Sequence, residues 1–254
     1  MQNVSVTVIT KNEAANLAAA LESVAWADER IVVDSASTDE TVAIARRLAD
    51  QVVVRPWPGY VEQKNFAASL ARNDWILSVD ADERVTPALA DEIRAVMHES
   101  PEAAGYRIPR VAWHLGRWIR TTDWYPDHQL RLYDRRRARW IGRHVHEGVE
   151  VDGPVGALRE ELQHYPYNGI ADHIETINRY TTYAARQMHE EGRRAGLLAM
   201  LGHPPLAFLR NYIARGGWRD GDPGFVISAL NAWYVFLKFA KLRELSTSDV
   251  ERRT

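Results

Sequence analysis

The chain has 254 residues, a hydrophobic fraction of 46% and a formal net charge of −2. This length allows a sizeable core, and the small net charge does not indicate a nucleic-acid partner. The sequence has no cysteine, which excludes disulfide bonds, thiolate catalysis and cysteine-ligated zinc. Because the first predicted strand begins at residue 4, with no basic and apolar leader before it, we expect a cytoplasmic protein.

Strand and helix patterns alternate through the first hundred residues. Short runs rich in β-branched residues predict strands at 4–9, 31–33, 52–54 and 75–79. The segments between them carry apolar residues at helical spacing. A further helix is predicted to begin at Pro87, with Thr86 as its N-cap. This order predicts an α/β fold, with a mostly parallel sheet covered by helices on both faces.

Polar residues follow three of these strands at their carboxyl ends, where parallel sheets bind ligands. They are Thr10 and Glu13, then Asp34, then Asp80 and Asp82. The last two are two residues apart, so both carboxylates can point to one face of a strand. Hard oxygen ligands there suit Mg²⁺ or Mn²⁺ holding a diphosphate, although a solvated turn before the next helix is the alternative. No Gly-rich phosphate loop of the dinucleotide or P-loop type occurs, so side chains and a metal would have to hold a nucleotide.

Beyond residue 100 the pattern changes. Strands are predicted at 105–111, 129–133 and 145–151, and a long helix at 170–191. A loop at 202–205, a helix at 206–214, a turn at 216–224 and an apolar final helix at 225–241 complete the prediction.

Two features of this part of the chain suggest partners. Residues 107–143 contain ten arginines and three acids, which suits an anionic partner, although a solvated surface is the alternative. The final helix has an aromatic-rich apolar stripe with Lys238, Lys241 and Arg243 at its end, a pattern typical of a helix in a membrane interface. Packing of this helix on the catalytic domain or on a second subunit is the alternative.

Four motifs in order, at residues 4–13, 31–41, 63–67 and 79–82, resemble those of the family 2 glycosyltransferases. The resemblance implies that the chain is an inverting enzyme and that it has the GT-A fold, which is the fold of the nucleotide-diphospho-sugar transferases. Segments 125–133, 144–147 and 225–241 are similar to the lipopolysaccharide core β-1,4-glucosyltransferase branch. The catalytic domain would occupy residues 1–165, with its nucleotide-binding part at 1–100 and its acceptor and catalytic part at 101–165. A helical extension, associated with a membrane, would occupy 166–254.

The resemblance also implies a reaction and a set of roles. The enzyme would move a sugar, expected to be glucose, from a UDP-sugar to a lipid-linked saccharide such as the lipopolysaccharide inner core, at the inner face of the cytoplasmic membrane. The residues that would bind the nucleotide are Thr10, Glu13, Asp34, Lys64 and Asp80.

The remaining roles concern the metal and the chemistry. Asp82 would bind Mg²⁺ or Mn²⁺, with His146 as a candidate further ligand. An inverting transfer needs one general base, for which Asp127 is the choice and Glu147 the challenger. Arg131 would contact phosphate or fix the base.

Three other functions fit parts of the pattern. A polyprenyl-phosphate sugar synthase is the nearest, but such enzymes commonly add transmembrane helices. A nucleotidyltransferase would usually show a Gly-rich loop after the first strand. A non-catalytic protein that binds nucleotide-sugar or lipid would not need the Asp-x-Asp pair.

Overall fold

The computed structural model describes residues 2–99, 101–143 and 146–251, and of Arg143, His146 and residues 248–251 it describes the backbone alone. The chain divides into two compact units. The first unit comprises residues up to 111 together with 127–164, and the second comprises 112–126 and the residues from 165 onward.

Twelve strands are assigned within the described ranges. In chain order they are β1 (Val4–Thr10), β2 (Glu29–Asp34), β3 (Gln51–Val54), β4 (Trp75–Asp80), β5 (Glu83–Val85), β6 (Gly105–His114), β7 (Arg117–Ile119), β8 (Asp127–Asp134), β9 (Ala138–Arg143), β10 (His146–Val151), β11 (Val155–Ala157) and β12 (Leu162–His164). The α-helices are α1 (Leu17–Ser23), α2 (Thr41–Leu48), α3 (Tyr60–Ser69), α4 (Pro87–His98), α5 (Ile170–Glu190), α6 (Leu197–Leu209) and α7 (Gly221–Glu251).

The main sheet has the order β3-β2-β1-β4-β8-β6-β12-β5. Its first four strands are parallel, as the alternation of strands and helices predicts. Strand β8 then runs antiparallel to both β4 and β6, and β9 pairs with β10 in a separate two-stranded sheet. The parallel half brings the carboxyl ends of β1, β2 and β4 to one edge.

Helices cover both faces of the parallel strands. Neighbouring residues of β4 show this, because Leu77 packs in one buried cluster and Ile76 in the other. The cluster with Leu77 includes residues of α1, α2 and α4, and the cluster with Ile76 includes residues of α3 and β9. Thr86 caps α4 by accepting a hydrogen bond from the backbone N–H of Leu89, as its sequence predicts. The predicted α/β architecture is therefore confirmed.

The second unit is mainly helical. Helix α5 agrees with the predicted helix at 170–191, but the predicted loop at 202–205 is wrong, since α6 runs through Gly202, Pro204 and Pro205. The ring of His203 stacks on Phe239 of α7, and Phe208 packs edge-on against Phe225. These contacts stabilise helical geometry in spite of the prolines, because packing outweighs local propensity.

The predicted helix at 206–214 and the predicted turn at 216–224 also need correction. Helix α6 passes at Arg210–Ala214 into a π-helical turn, and a 3₁₀ turn at Gly217–Asp220 leads directly into α7. A Cβ atom on Gly224 would lie 1.9 Å from the carbonyl oxygen of Gly217, so this tight entry into α7 requires glycine. By length and composition alone, one described helical segment, Gly217–Thr247, could cross a membrane.

Candidate active site

The candidate site lies in the first unit, at the carboxyl end of β4. Asp80 is the last residue of this strand, and its two carboxylate oxygens bind two different cations. Oδ1 lies 3.1 Å from Nζ of Lys64, and Oδ2 lies 2.5 Å from Nη2 of Arg131. Both cations are buried, with exposed fractions of 4% for Lys64 and 3% for Arg131. The strand end therefore holds a carboxylate between two desolvated positive charges.

Two residues absent from the sequence prediction, Glu83 and Arg110, extend this arrangement. Glu83 is fully buried; its Oε1 accepts from Arg131 at 2.7 Å and from Arg110 at 2.8 Å. Its Oε2 accepts from the backbone N–H of Asp80 at 2.9 Å. Arg110 also donates to Oδ2 of Asp127, through Nη2 at 2.6 Å and Nε at 2.9 Å. A continuous chain of alternating charges thus joins Asp80 to the predicted base.

Lys64 joins the other candidate base to the same group. Its ammonium lies 3.5 Å from Oε1 of Glu147 and 4.2 Å from the ring centre of Trp140. The contact with the aromatic face stabilises a cation withdrawn from water. Asp127 and Glu147 therefore lie at opposite ends of one connected network of ion pairs.

The network shifts the pKa values of its members in different directions. Burial alone would raise the pKa of Asp80 and of Glu83, but the positive charges of Arg131 and Arg110, joined for Asp80 by that of Lys64, together outweigh it and lower both pKa values. For Glu147, burial raises the pKa and the charge of Lys64 only partly opposes that rise. Asp80 and Glu83 therefore stay ionised at neutral pH, while Glu147 binds a proton more readily than an ordinary glutamate does.

Asp127 is held by two side chains. Besides Arg110, the amide nitrogen of Gln129 donates to its Oδ1 at 2.6 Å. Strand β8 carries Asp127 and Gln129 on one face, since residues two apart in a strand point the same way. About a third of the Asp127 side chain is exposed, so a carboxylate with a fixed orientation faces solvent.

Two predicted nucleotide-binding residues, Thr10 and Asp34, end β1 and β2 at the same sheet edge, and Glu13 follows β1 in the chain. Thr10 and Asp34 are register partners on neighbouring strands. The carboxylate of Asp34 is buried and accepts from the backbone N–H and the hydroxyl of Ser37. Glu13 accepts from Asn16 at 3.1 Å. The buried hydroxyl of Thr10 makes no hydrogen bond within the part of the chain that the structure describes.

Asp82 lies beyond β4 and contacts a histidine that sequence reasoning missed. Nε2 of His164 is 3.3 Å from Oδ2 of Asp82, and both side chains are partly exposed. Strand β12 brings His164 there by pairing antiparallel with β5. The predicted second ligand, His146, has its side chain outside the described residues.

The donor set fits a divalent cation as a partial shell. A carboxylate oxygen and a neutral imidazole nitrogen suit Mn²⁺, and a bound phosphate and water would supply further ligands. No group of three or more His, Asp or Glu side chains arranged to hold a metal occurs among the described residues. The oxygens of Asp80 are already bound by Lys64 and Arg131, so Asp82 and His164 are the better candidates.

Comparisons with known proteins identify the family of the chain. Residues 5–151 match the family model described as glycosyl transferase family 2. The lipopolysaccharide core biosynthesis glycosyltransferase LpsC of Rhizobium meliloti is 34% identical over 245 residues, which cover 94% of this chain and 91% of LpsC. An uncharacterized glycosyltransferase of Rickettsia felis is 36% identical over 257 residues, covering 96% of this chain and 90% of that protein.

A solved structure has a similar fold. It is the mannosyltransferase PcManGT of Pyrobaculum calidifontis, in complex with GDP-Man and Mn²⁺, with a TM-score of 0.56 and 17% sequence identity. The match covers 95% of this chain and 87% of that chain. At this identity the likeness concerns the fold, and it agrees with the predicted GT-A architecture.

Proposed function

The chain belongs to glycosyl transferase family 2, and from this premise we propose that it moves a sugar from a UDP-sugar to a lipid-linked saccharide. The donor sugar is glucose and the acceptor is of the lipopolysaccharide inner-core type in this proposal. The observation that carries it is the carboxylate group at the end of β4, where Asp80 is held by Lys64 and Arg131 and Asp82 lies beside His164. The name of LpsC supports the class of acceptor.

The donor would lie along the edge formed by β1, β2 and β4. Thr10 and Asp34, on adjacent strands, would contact the uracil and ribose, with Glu13 beside them. The unpartnered hydroxyl of Thr10 supports this role, because a buried polar atom without a hydrogen bond is costly unless a ligand satisfies it. Lys64 and Asp80 would lie nearer the ribose and diphosphate.

Asp82 and His164 would hold Mg²⁺ or Mn²⁺. When bound, such an ion stabilises the negative charge that develops on the departing diphosphate. Lys64 and Arg131 balance the negative charge of Asp80 and keep it ionised. They would therefore limit the negative charge that accumulates at this strand end when a diphosphate binds.

Asp127 would act as the general base, taking the proton of the acceptor hydroxyl as its oxygen attacks the anomeric carbon and the bond to the diphosphate breaks. Arg110 and Gln129 orient its carboxylate, a support that a catalytic base needs. Glu147 is the alternative base, and its raised pKa supports that role. Arg131 contacts Asp80 and Glu83, so its role in this proposal is to position the strand-end carboxylates rather than to bind the acceptor.

The enzyme would act at the cytoplasmic face of the inner membrane, where a lipid-linked acceptor is presented. The test is a UDP-release assay on the full chain, with UDP-glucose, UDP-galactose and UDP-N-acetylglucosamine as donors and isolated core lipopolysaccharide as acceptor. We expect acceptor-dependent release with UDP-glucose that requires a divalent metal. Acceptor-dependent release from UDP-galactose or UDP-N-acetylglucosamine but not from UDP-glucose, or release from none of the three donors, would overturn the proposal.

A further inference from the structure

The second unit carries an exposed apolar surface on α6, the turns that follow it and the first turn of α7. We call this surface the α6 patch. Its large apolar side chains are between 47% and 88% exposed. They are Leu197, Leu198, Leu201, Leu206, Leu209, Ile213, Trp218 and Phe225.

Helix α6 has one face that packs and one that does not. Ala207 is buried, and His203 and Phe208 contact aromatic residues of α7. At about 100° per residue, Leu198, Leu201 and Leu209 fall within about 80° of one another, and Leu198 lies opposite Ala207. Leu198 is 88% exposed. The centre of the apolar stripe, at Leu198, therefore points away from the buried Ala207.

Along α6 and the turns that follow it, the exposed charged side chains have one sign. Residues 192–219 contain five arginines and no aspartate or glutamate. All five arginines are exposed: Arg193, Arg194, Arg210, Arg215 and Arg219. Arginines at both ends of an apolar helix, with a tryptophan at its margin, are typical of a segment that lies in the interface of an anionic membrane.

We propose that the α6 patch docks the protein on the surface of an anionic lipid bilayer, with the leucines of α6 inserted among the acyl chains. The arginines contact lipid phosphates. A second copy of this chain is a poorer occupant, because a symmetric contact would bring five like-charged arginines together, and Asp222 is the one exposed acid between the first and last residues of the patch.

This inference assigns docking to α6, whereas the membrane-associating stripe suggested by the sequence and the family resemblance lies on the final helix. The structure gives α7 other contacts. Lys241, from the basic end of that stripe, donates to Asn178 and Thr181 of α5, and Leu242 is buried with Ala185. The basic end of α7 is therefore held against α5, whereas α6 carries the most exposed leucines.

The test is co-sedimentation of the full chain with vesicles of phosphatidylcholine alone, and of phosphatidylcholine mixed equally with phosphatidylglycerol. We expect binding to the mixed vesicles that weakens as salt is raised. The double substitution Leu198→Glu and Leu201→Glu should weaken it at least about tenfold, because it places charge where apolar insertion is required. Ile170→Glu with Ile174→Glu is the matched control, since both isoleucines are 43% exposed on α5, outside the patch, and should leave binding unchanged.

Three results would overturn the inference. They are equal binding to both kinds of vesicle, unchanged binding of the leucine variant, and a dimer in analytical ultracentrifugation that the leucine variant dissociates. Circular dichroism checks that the variants fold.

The link between docking and a lipid-linked acceptor rests on the proposed function, and a second assay separates the two. On a water-soluble core oligosaccharide, the leucine variant should transfer sugar as the wild type does, while on vesicle-bound acceptor it should be slower. Vesicle binding without any transfer would remove the proposed function and leave the docking surface in place.

Discussion

Replacing Arg131 with Met measures how much stability the buried charges of the site supply. The guanidinium is 3% exposed and binds Asp80 at 2.5 Å and Glu83 at 2.7 Å. Without it, Asp80 keeps Lys64 and Glu83 keeps Arg110, but the buried Glu83 and the partly exposed Asp80 lose a shared cation. Removing one partner of a buried ion pair costs about 3–5 kcal/mol. The remaining cations place the expected loss near the lower end, about 3 kcal/mol.

The assay is urea unfolding followed by circular dichroism. The expected loss is a large part of the total stability of an ordinary domain, about 5–15 kcal/mol. Arg139→Met is the control, because this exposed arginine pairs with the exposed Glu150 at 3.2 Å. A surface pair contributes at most about 1 kcal/mol. Equal losses in the two variants would refute the reasoning.

The pH dependence gives a second check on Arg131. In the wild type the pKa values of Asp80 and Glu83 are lowered by folding. Their contribution to stability is therefore complete above the pKa values of the unfolded chain, about 3.9 and 4.3. It is lost as the pH falls through the pKa values of the folded protein. In the variant the pKa of the fully buried Glu83 rises, and protonation relieves the unpaired charge. The difference in stability between the two proteins should therefore shrink as the pH is lowered from neutral towards the unfolded pKa of Glu83.

Two further predictions concern catalysis and the second unit. Asp127→Asn should leave UDP binding intact and lower kcat by about a hundredfold or more, because it removes the proposed base. Glu147→Gln should lower kcat much less. If Glu147→Gln shows the larger loss in a UDP-release assay, Glu147 is the base. Burial, reinforced by the neighbouring His114, lowers the pKa of His173 to about 4, so the unfolded chain binds the extra proton and stability falls as the pH drops below about 6.5. Between about pH 7.5 and 5 the proton uptake of this histidine should lower the free energy of unfolding by about 2 kcal/mol. His173→Gln should reduce that pH dependence. An unchanged urea midpoint of the wild type across this range would contradict the prediction.

The parallel half of the sheet could be predicted from local patterns. Each of its strands is a short β-branched run, and the helices between them have regular apolar spacing, so no distant contact is needed to recognise them. The helix α6 could not be predicted in this way, because Gly202, Pro204 and Pro205 favour a loop and only packing against α7 overrides them.

The same distinction applies to the site. Asp80 and Lys64, both recognisable from motifs, lie together as ion-paired neighbours. Glu83 gave a weaker signal, a third acid directly after the Asp-x-Asp pair. Arg110 was one of ten arginines in an Arg-rich segment and His164 gave no signal, because β6 and β12 reach the site through strand pairing across long stretches of chain. Their roles follow from tertiary contacts that spacing does not encode.

The central claim is that the edge formed by β1, β2 and β4 binds a UDP-sugar with a divalent metal. Isothermal titration with UDP, in the presence and absence of Mn²⁺, tests it most directly, with Asp82→Asn as the metal-site variant and GDP as the competing nucleotide. The account predicts UDP binding that Mn²⁺ strengthens, with that gain lost in Asp82→Asn and GDP bound more weakly. Failure of UDP to bind with or without Mn²⁺, or tighter binding of GDP, would contradict it.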